Sequence, residues 1–104
     1  MTVYLNGQFL PKDQARISPD DRAFLFADGA YEVLRAYRGH LFRAREHWER
    51  FGYSLKALRI ASPANTDFSA IASELLKRNN LADAEATVYL QVSRGAAPRK
   101  HAFP

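Results

Sequence analysis

Arginine, histidine and tyrosine carry most of the chemistry available to this 104-residue sequence. His47 and Arg50 are three apart, so on a helix they share a face beside an apolar stripe. There the guanidinium offers a planar fork of donors to a carboxylate or a phosphate. An acid-paired arginine on a solvated helix surface is the reading that spacing alone favours, and a cation set at the mouth of a cleft is the other. A second grouping is the segment Arg94-Gly95-Ala96-Ala97-Pro98-Arg99-Lys100-His101-Ala102-Phe103-Pro104. If Arg99 to His101 is locally extended, Arg99 and His101 point to one side and Lys100 to the other. That pair suits a carboxylate, with charge-assisted bonds of about 1.5–3 kcal/mol each. A basic, unordered tail reads equally well from the same letters. Nucleotide-binding glycine loops, HExxH and Gly-x-Ser-x-Gly are all absent. With no cysteine there is no thiolate nucleophile, and His40, His47 and His101 have no metal-ligand spacing, so no metal site is expected.

The elements that must position these residues read as follows. Asn6-Gly7 between Val3-Tyr4-Leu5 and Phe9-Leu10 predicts a tight hairpin. Ser18-Pro19-Asp20-Asp21 predicts a short helical turn. Tyr31 to Tyr37 predicts a strand with Tyr31, Val33, Arg35 and Tyr37 on one face and Glu32, Leu34 and Ala36 on the other. Arg38-Gly39 turns it back into His40-Leu41-Phe42. Trp48, Phe51, Leu55 and Leu58 form the stripe of an amphipathic helix, weakened at Gly52 and ended by Ser62-Pro63. Phe68, Ile71 and Leu75 begin a second stripe that stops at Asn79-Asn80, and Val88 to Ser93 alternates as a late strand. The sum is one α+β domain over residues 1–104, two layers, with a largely antiparallel sheet and two main helices.

Composition sets the outer limits. Hydrophobic residues at 47% and charged residues at 25% are globular values, which excludes collagen-like and wholly disordered chains. No apolar run exceeds Ala23 to Ala27, far short of a membrane span, and no secretory leader opens the sequence, so a cytoplasmic location is the default. The net charge of +4 is spread along the chain, and many arginines have an acid nearby, so a nucleic-acid partner is not expected. Small anionic ligands stay open.

Four segments in register carry a resemblance. Asp28-Gly29-Ala30-Tyr31-Glu32-Val33, then Tyr37-x-Gly39-x-x-Phe42, then Glu46-His47-x-x-Arg50, then Arg94-Gly95-x-x-Pro98-Arg99-x-His101-x-Phe103-Pro104 are similar to the D-amino-acid aminotransferases. These are fold-type IV pyridoxal-phosphate enzymes of the branched-chain aminotransferase superfamily. The likeness runs from about Tyr4 to Pro104, and Tyr-Glu-Val at 31 to 33 points to the D-amino-acid branch rather than the branched-chain one.

By that resemblance, Arg50 binds the phosphate of pyridoxal 5'-phosphate. Arg99 and His101 hold the substrate carboxylate with Tyr31, and Val33 lines the side-chain pocket. The implied reaction moves an amino group between a D-amino acid such as D-alanine and a 2-oxo acid, in a homodimer whose arginine-histidine loop serves the partner's site. The family's Schiff-base lysine lies in a second domain. Lys12, Lys56, Lys77 and Lys100 do not correspond to it, so no catalytic residue is expected in this chain. The sequence thus reads as the small N-terminal domain of an enzyme, truncated at Pro104 and inactive alone. A branched-chain aminotransferase, an aminodeoxychorismate lyase, and a catalytically silent fragment that acts as a binding module are the alternatives.

Overall fold

The computed structural model describes residues 1–63 and 65–97. Strands β1 (Thr2–Leu5) and β2 (Gln8–Pro11) pair antiparallel with Leu5 opposite Gln8. Their two-residue turn needs positive φ at both positions, and Asn6 (49°) and Gly7 (89°) supply it. The helical turn expected at Ser18 to Asp21 lies slightly later. Helix α1 spans Arg22–Phe26, with Asp21 outside it as the cap that accepts from the Ala23 amide. Pro19 and Asp20 form a turn instead, with the Asp20 amide donating to Ser18 Oγ.

The main sheet has the order β4-β3-β5, all antiparallel. Strand β3 (Gly29–Tyr37) is the long central one and pairs along its whole length with β5 (Glu85–Ser93), from Gly29 opposite Ser93 to Tyr37 opposite Glu85. The two backbones meet closely at Gly29, where a Cβ would come within 2.8 Å of the Val92 carbonyl oxygen. Strand β4 (His40–Leu41) is short and covers only Ala36 and Tyr37. The Glu32 stretch of β3 therefore has a ladder partner on the β5 side alone.

Helices α2 (Ala44–Ala57) and α3 (Phe68–Arg78) cover the inner face of this sheet. One core cluster joins Ala36 of β3 and Ala86 of β5 to Leu76 of α3; the other joins Phe51 and Leu55 of α2 with Ile60 to Leu90 and Val92 of β5. Phe51, Leu34 and Leu55 are the largest fully buried side chains, each contributing about 1.5–3 kcal/mol relative to an exposed position. Trp48 seats α2 against α3 through its indole N–H, 2.7 Å from Ser69 Oγ. The architecture is the expected α+β, with two main helices on a largely antiparallel sheet. One stripe is displaced: α3 buries Ala72 and Leu76, whereas Ile71 and Leu75 are half-buried. Those two line a cavity of about 170 Å³ between α3, the β1 end and β5.

Candidate functional site

The alternation of β3 sorts the candidate residues. Its odd positions from Tyr31 onward are exposed and its even positions from Glu32 to Ala36 are buried. Tyr31 and Val33 therefore share the outer face of the sheet, as expected. Tyr31 is 63% exposed, stacks on Tyr89 of β5 at 5.6 Å between ring centroids, and makes no hydrogen bond through its hydroxyl to a described residue. Val33 lies opposite Tyr89 in the ladder. Tyr89 is thus part of this face, and its hydroxyl donates to Gln91 Oε1 at 3.0 Å.

The inner face holds a second arrangement. Glu32 is 4% exposed, an acid at a position that alternation assigns to the core. It is satisfied from α2. Arg50 Nε donates to Oε2 at 2.8 Å and Arg50 Nη2 to Oε1 at 2.6 Å, the two-pronged geometry that only a guanidinium gives. His47 Nδ1 lies 2.7 Å from Oε1. Beside an ionised carboxylate Nδ1 carries the proton, so the 3.4 Å approach of Arg50 Nη2 to Nδ1 joins two donors and is not a hydrogen bond. The Arg50 hydrogen bonds hold the Glu32 carboxyl below the usual range; burial opposes them and His47 adds to them. Glu32 in turn raises the Arg50 value, so the pair is ionised on both sides. The Arg50 side chain is nevertheless 67% exposed. Its Nη1 makes no hydrogen bond to a described residue and remains available to an anion.

The expectation that Arg50 is either acid-paired or set at a cleft resolves into an acid-paired guanidinium with one donor edge left over. It does not share a face with Tyr31 and Val33, because Glu32 points the opposite way from them. Arg99 and His101 lie outside the described residues. An open concavity of about 850 Å³ lies between Ile17, Phe24, Tyr89 and Gln91; it borders the outer face at Tyr89 and has neither Arg50 nor Tyr31 in its wall. Among the described residues no group of three or more metal-binding side chains occurs, and no helix is long and apolar enough to cross a membrane.

Below the sheet end, Asp28 Oδ2 accepts from Arg22 Nε at 2.9 Å and from Arg94 Nε at 2.7 Å. Arg94 also donates to the carbonyls of Leu58 and Arg59 after α2. This trio, with Arg22 buried and Asp28 and Arg94 half-buried, ties α1, the start of β3, the end of β5 and the end of α2 together. The hydrogen bond from Arg94 is the main cause that keeps the Asp28 carboxyl below its ordinary value, against burial and helped by Arg22. Sequence reasoning passed over Asp28 and gave Glu32 no partner. The signal for Glu32 was present, since an acid in phase with Leu34 and Ala36 must find a cation.

A small antiparallel sheet backed by two helices is a fold this chain shares with solved aminotransferases. The chain belongs to the class IV aminotransferases, whose family profile matches residues 29–104. Within that family it is similar to the D-alanine aminotransferases: 41% identical over 109 residues to that of Staphylococcus epidermidis, covering 98% of this chain and 36% of the relative. The D-alanine aminotransferase of Bacillus licheniformis is 36% identical over 99% of this chain and 36% of its own length. Among solved structures, a branched-chain amino acid aminotransferase complexed with N-(5'-phosphopyridoxyl)-L-glutamate, from the source abbreviated T.th., superposes with a TM-score of 0.77. It is 26% identical, over 93% of this chain and 34% of that one. A putative 4-amino-4-deoxychorismate lyase from Legionella pneumophila gives 0.71 at 29% identity, over 88% of this chain and 33% of that one. The chain spans about a third of the length of these relatives.

Proposed function

We propose that this chain is the small domain of a pyridoxal-phosphate-dependent D-amino-acid aminotransferase, which moves the amino group of a D-alanine-like substrate to a 2-oxo acid. The observation that carries this reading is the match to D-alanine aminotransferases at 36–41% identity along nearly the whole chain. The branched-chain enzyme and the lyase match at 26% and 29% and are the second reading.

The donor set suits a cofactor phosphate. Arg50 is charged, exposed on one edge and prevented from swinging by its two bonds to Glu32. When bound, pyridoxal phosphate withdraws the electrons of the substrate Cα–H bond and carries the amino group between the two acids. In this reading Arg50 anchors the phosphate through Nη1, and Glu32 keeps the guanidinium plane fixed. Tyr31 donates its hydroxyl to the substrate carboxylate, with its ring held by Tyr89. Val33 lines the side-chain pocket beside it. Arg99 and His101 complete the carboxylate grip, reached from the partner in a homodimer. The cofactor-binding lysine belongs to a second domain, and the enzyme works in the cytoplasm. These residues act by binding and orientation, so their loss falls on substrate and cofactor affinity more than on the proton transfer itself.

Steady-state kinetics of the full-length parent enzyme test the reading. D-Alanine with 2-oxoglutarate is expected to give the highest kcat/KM, and Arg99→Ala is expected mainly to raise the KM for amino acids. A preference for L-leucine, or pyruvate release from aminodeoxychorismate, would move the chain to one of the other branches.

A further inference from the structure

We propose that Glu32 is a positioning residue for phosphate binding: it fixes the orientation of the Arg50 guanidinium, with His47 as its second tether, so that Nη1 meets the anion ready-made. The inference rests on the reading of Arg50 as the phosphate anchor and deepens it.

Three observations carry it. Glu32 is almost fully buried on the central strand, so its carboxylate is a fixed point, whereas Arg50 is a long side chain on a helix surface with its stem and head largely in water. Both of the donors nearest the stem, Nε and one Nη2 proton, are spent on Glu32, which leaves Nη1 as the donor group without a described partner on a guanidinium already confined to one plane. His47 Nδ1 holds the same Oε1 that Nη2 uses, from one turn earlier on α2, and so fixes the carboxylate plane as well. An unbraced arginine would have to lose its rotamer freedom each time an anion bound; here that ordering is completed by folding.

The sign of one substitution separates positioning from charge. Glu32→Gln keeps the shape but removes a negative charge beside the anchor. By Coulomb's law alone it should tighten phosphate binding. If Glu32 positions Arg50, the same change loosens binding, by about tenfold or more, the scale seen when residues that orient metal ligands are removed. Glu32→Asp keeps the charge but is one methylene too short for both bonds, and it is expected to weaken binding too.

The experiment uses the full-length parent enzyme, stripped of cofactor, and measures the Kd for pyridoxal phosphate by equilibrium dialysis and the environment of the bound phosphate by phosphorus NMR. Wild type, Glu32→Gln, Glu32→Asp, Arg50→Lys and the Glu32→Gln/Arg50→Lys double variant are compared, with thermal melting of each apo form. Support is a weaker Kd and a changed phosphorus signal for all four variants, each still melting cooperatively above the assay temperature, and a double variant no worse than the poorer single one. Equal or tighter binding by Glu32→Gln while Arg50→Lys weakens it would overturn the role of Glu32 and leave Arg50 as the anchor. Unaltered binding by Arg50→Lys would overturn both.

Discussion

Asp28 and Glu32 are four residues apart around the start of β3; half-buried Asp28 is held by Arg22 and Arg94, and buried Glu32 by Arg50 and His47. Their consequences for acid stability have the same sign. A carboxyl whose folded value is depressed contributes its full stabilisation above its unfolded value, about 4 to 4.5, and loses it as the pH falls through the lower folded value. Chemical denaturation at pH 7, 5 and 3 should therefore show stability declining below about pH 4.5. In Asp28→Asn and Glu32→Gln that decline should be shallower. Asp28→Ala removes the acceptor that Arg22 and Arg94 share. Its expected cost is about 1.5–3 kcal/mol in a urea melt at neutral pH, the range for hydrogen bonds to charged groups. A change below about 1 kcal/mol, the scale of an exposed pair, would mean that water reaches the trio.

Helix α2 carries both Arg50, the proposed phosphate anchor, and Phe51, the largest fully buried side chain, and it contains an avoidable weakness. Gly52 lies in its interior, exposed, and a Cβ there would meet nothing within 4 Å. Gly52→Ala is expected to raise stability by about 0.5–1 kcal/mol, read as a higher urea midpoint at unchanged slope. At this scale much of the fold was legible in the sequence. The period of two in Tyr31 to Tyr37 placed every side chain of that stretch on the correct face, because burial on one side of a sheet enforces strict alternation. The stripe Trp48, Phe51, Leu55 and Leu58 likewise located α2. What escaped was set by tertiary packing. In α3 the core took Ala72 and Leu76 in place of Ile71 and Leu75, because a second surface, the β1 end, competes for that helix. The helical turn read at Ser18 to Asp21 came out a few residues later, as Arg22–Phe26, because Asp21 itself caps α1 and the hydrogen bond from the Arg22 amide to the Gly95 carbonyl ties the helix start to the segment after β5. The bracing of Arg50 by Glu32 joins residues 18 apart on different elements, so it needed the angle of α2 on the sheet, which no local pattern encodes. The phosphate and carboxylate roles of Arg50, Tyr31, Arg99 and His101 came from resemblance and not from spacing.

For the molecule as a whole, charge is distributed and mostly matched. Arg22, Arg35, Arg43, Arg45, Arg50, Arg78 and Arg94 each have an acid partner, so the excess of arginine is largely a network of pairs. The outer face of the sheet is the contrasting surface, with Tyr31, Val33, Tyr37 and Tyr89 all exposed. In the proposed enzyme this face looks into the substrate cleft and the lysine-bearing domain. The 104-residue chain by itself is accordingly expected to give no turnover of D-alanine in a coupled assay for pyruvate, and measurable turnover would place an amine nucleophile within it. The most direct test of the central claim is the visible absorbance of the full-length parent protein during titration with D-alanine. The account predicts a cofactor band that D-alanine bleaches and a 2-oxo acid restores, while L-leucine leaves it unchanged. A protein that binds no pyridoxal phosphate, or one whose band responds to L-leucine and not to D-alanine, would contradict it.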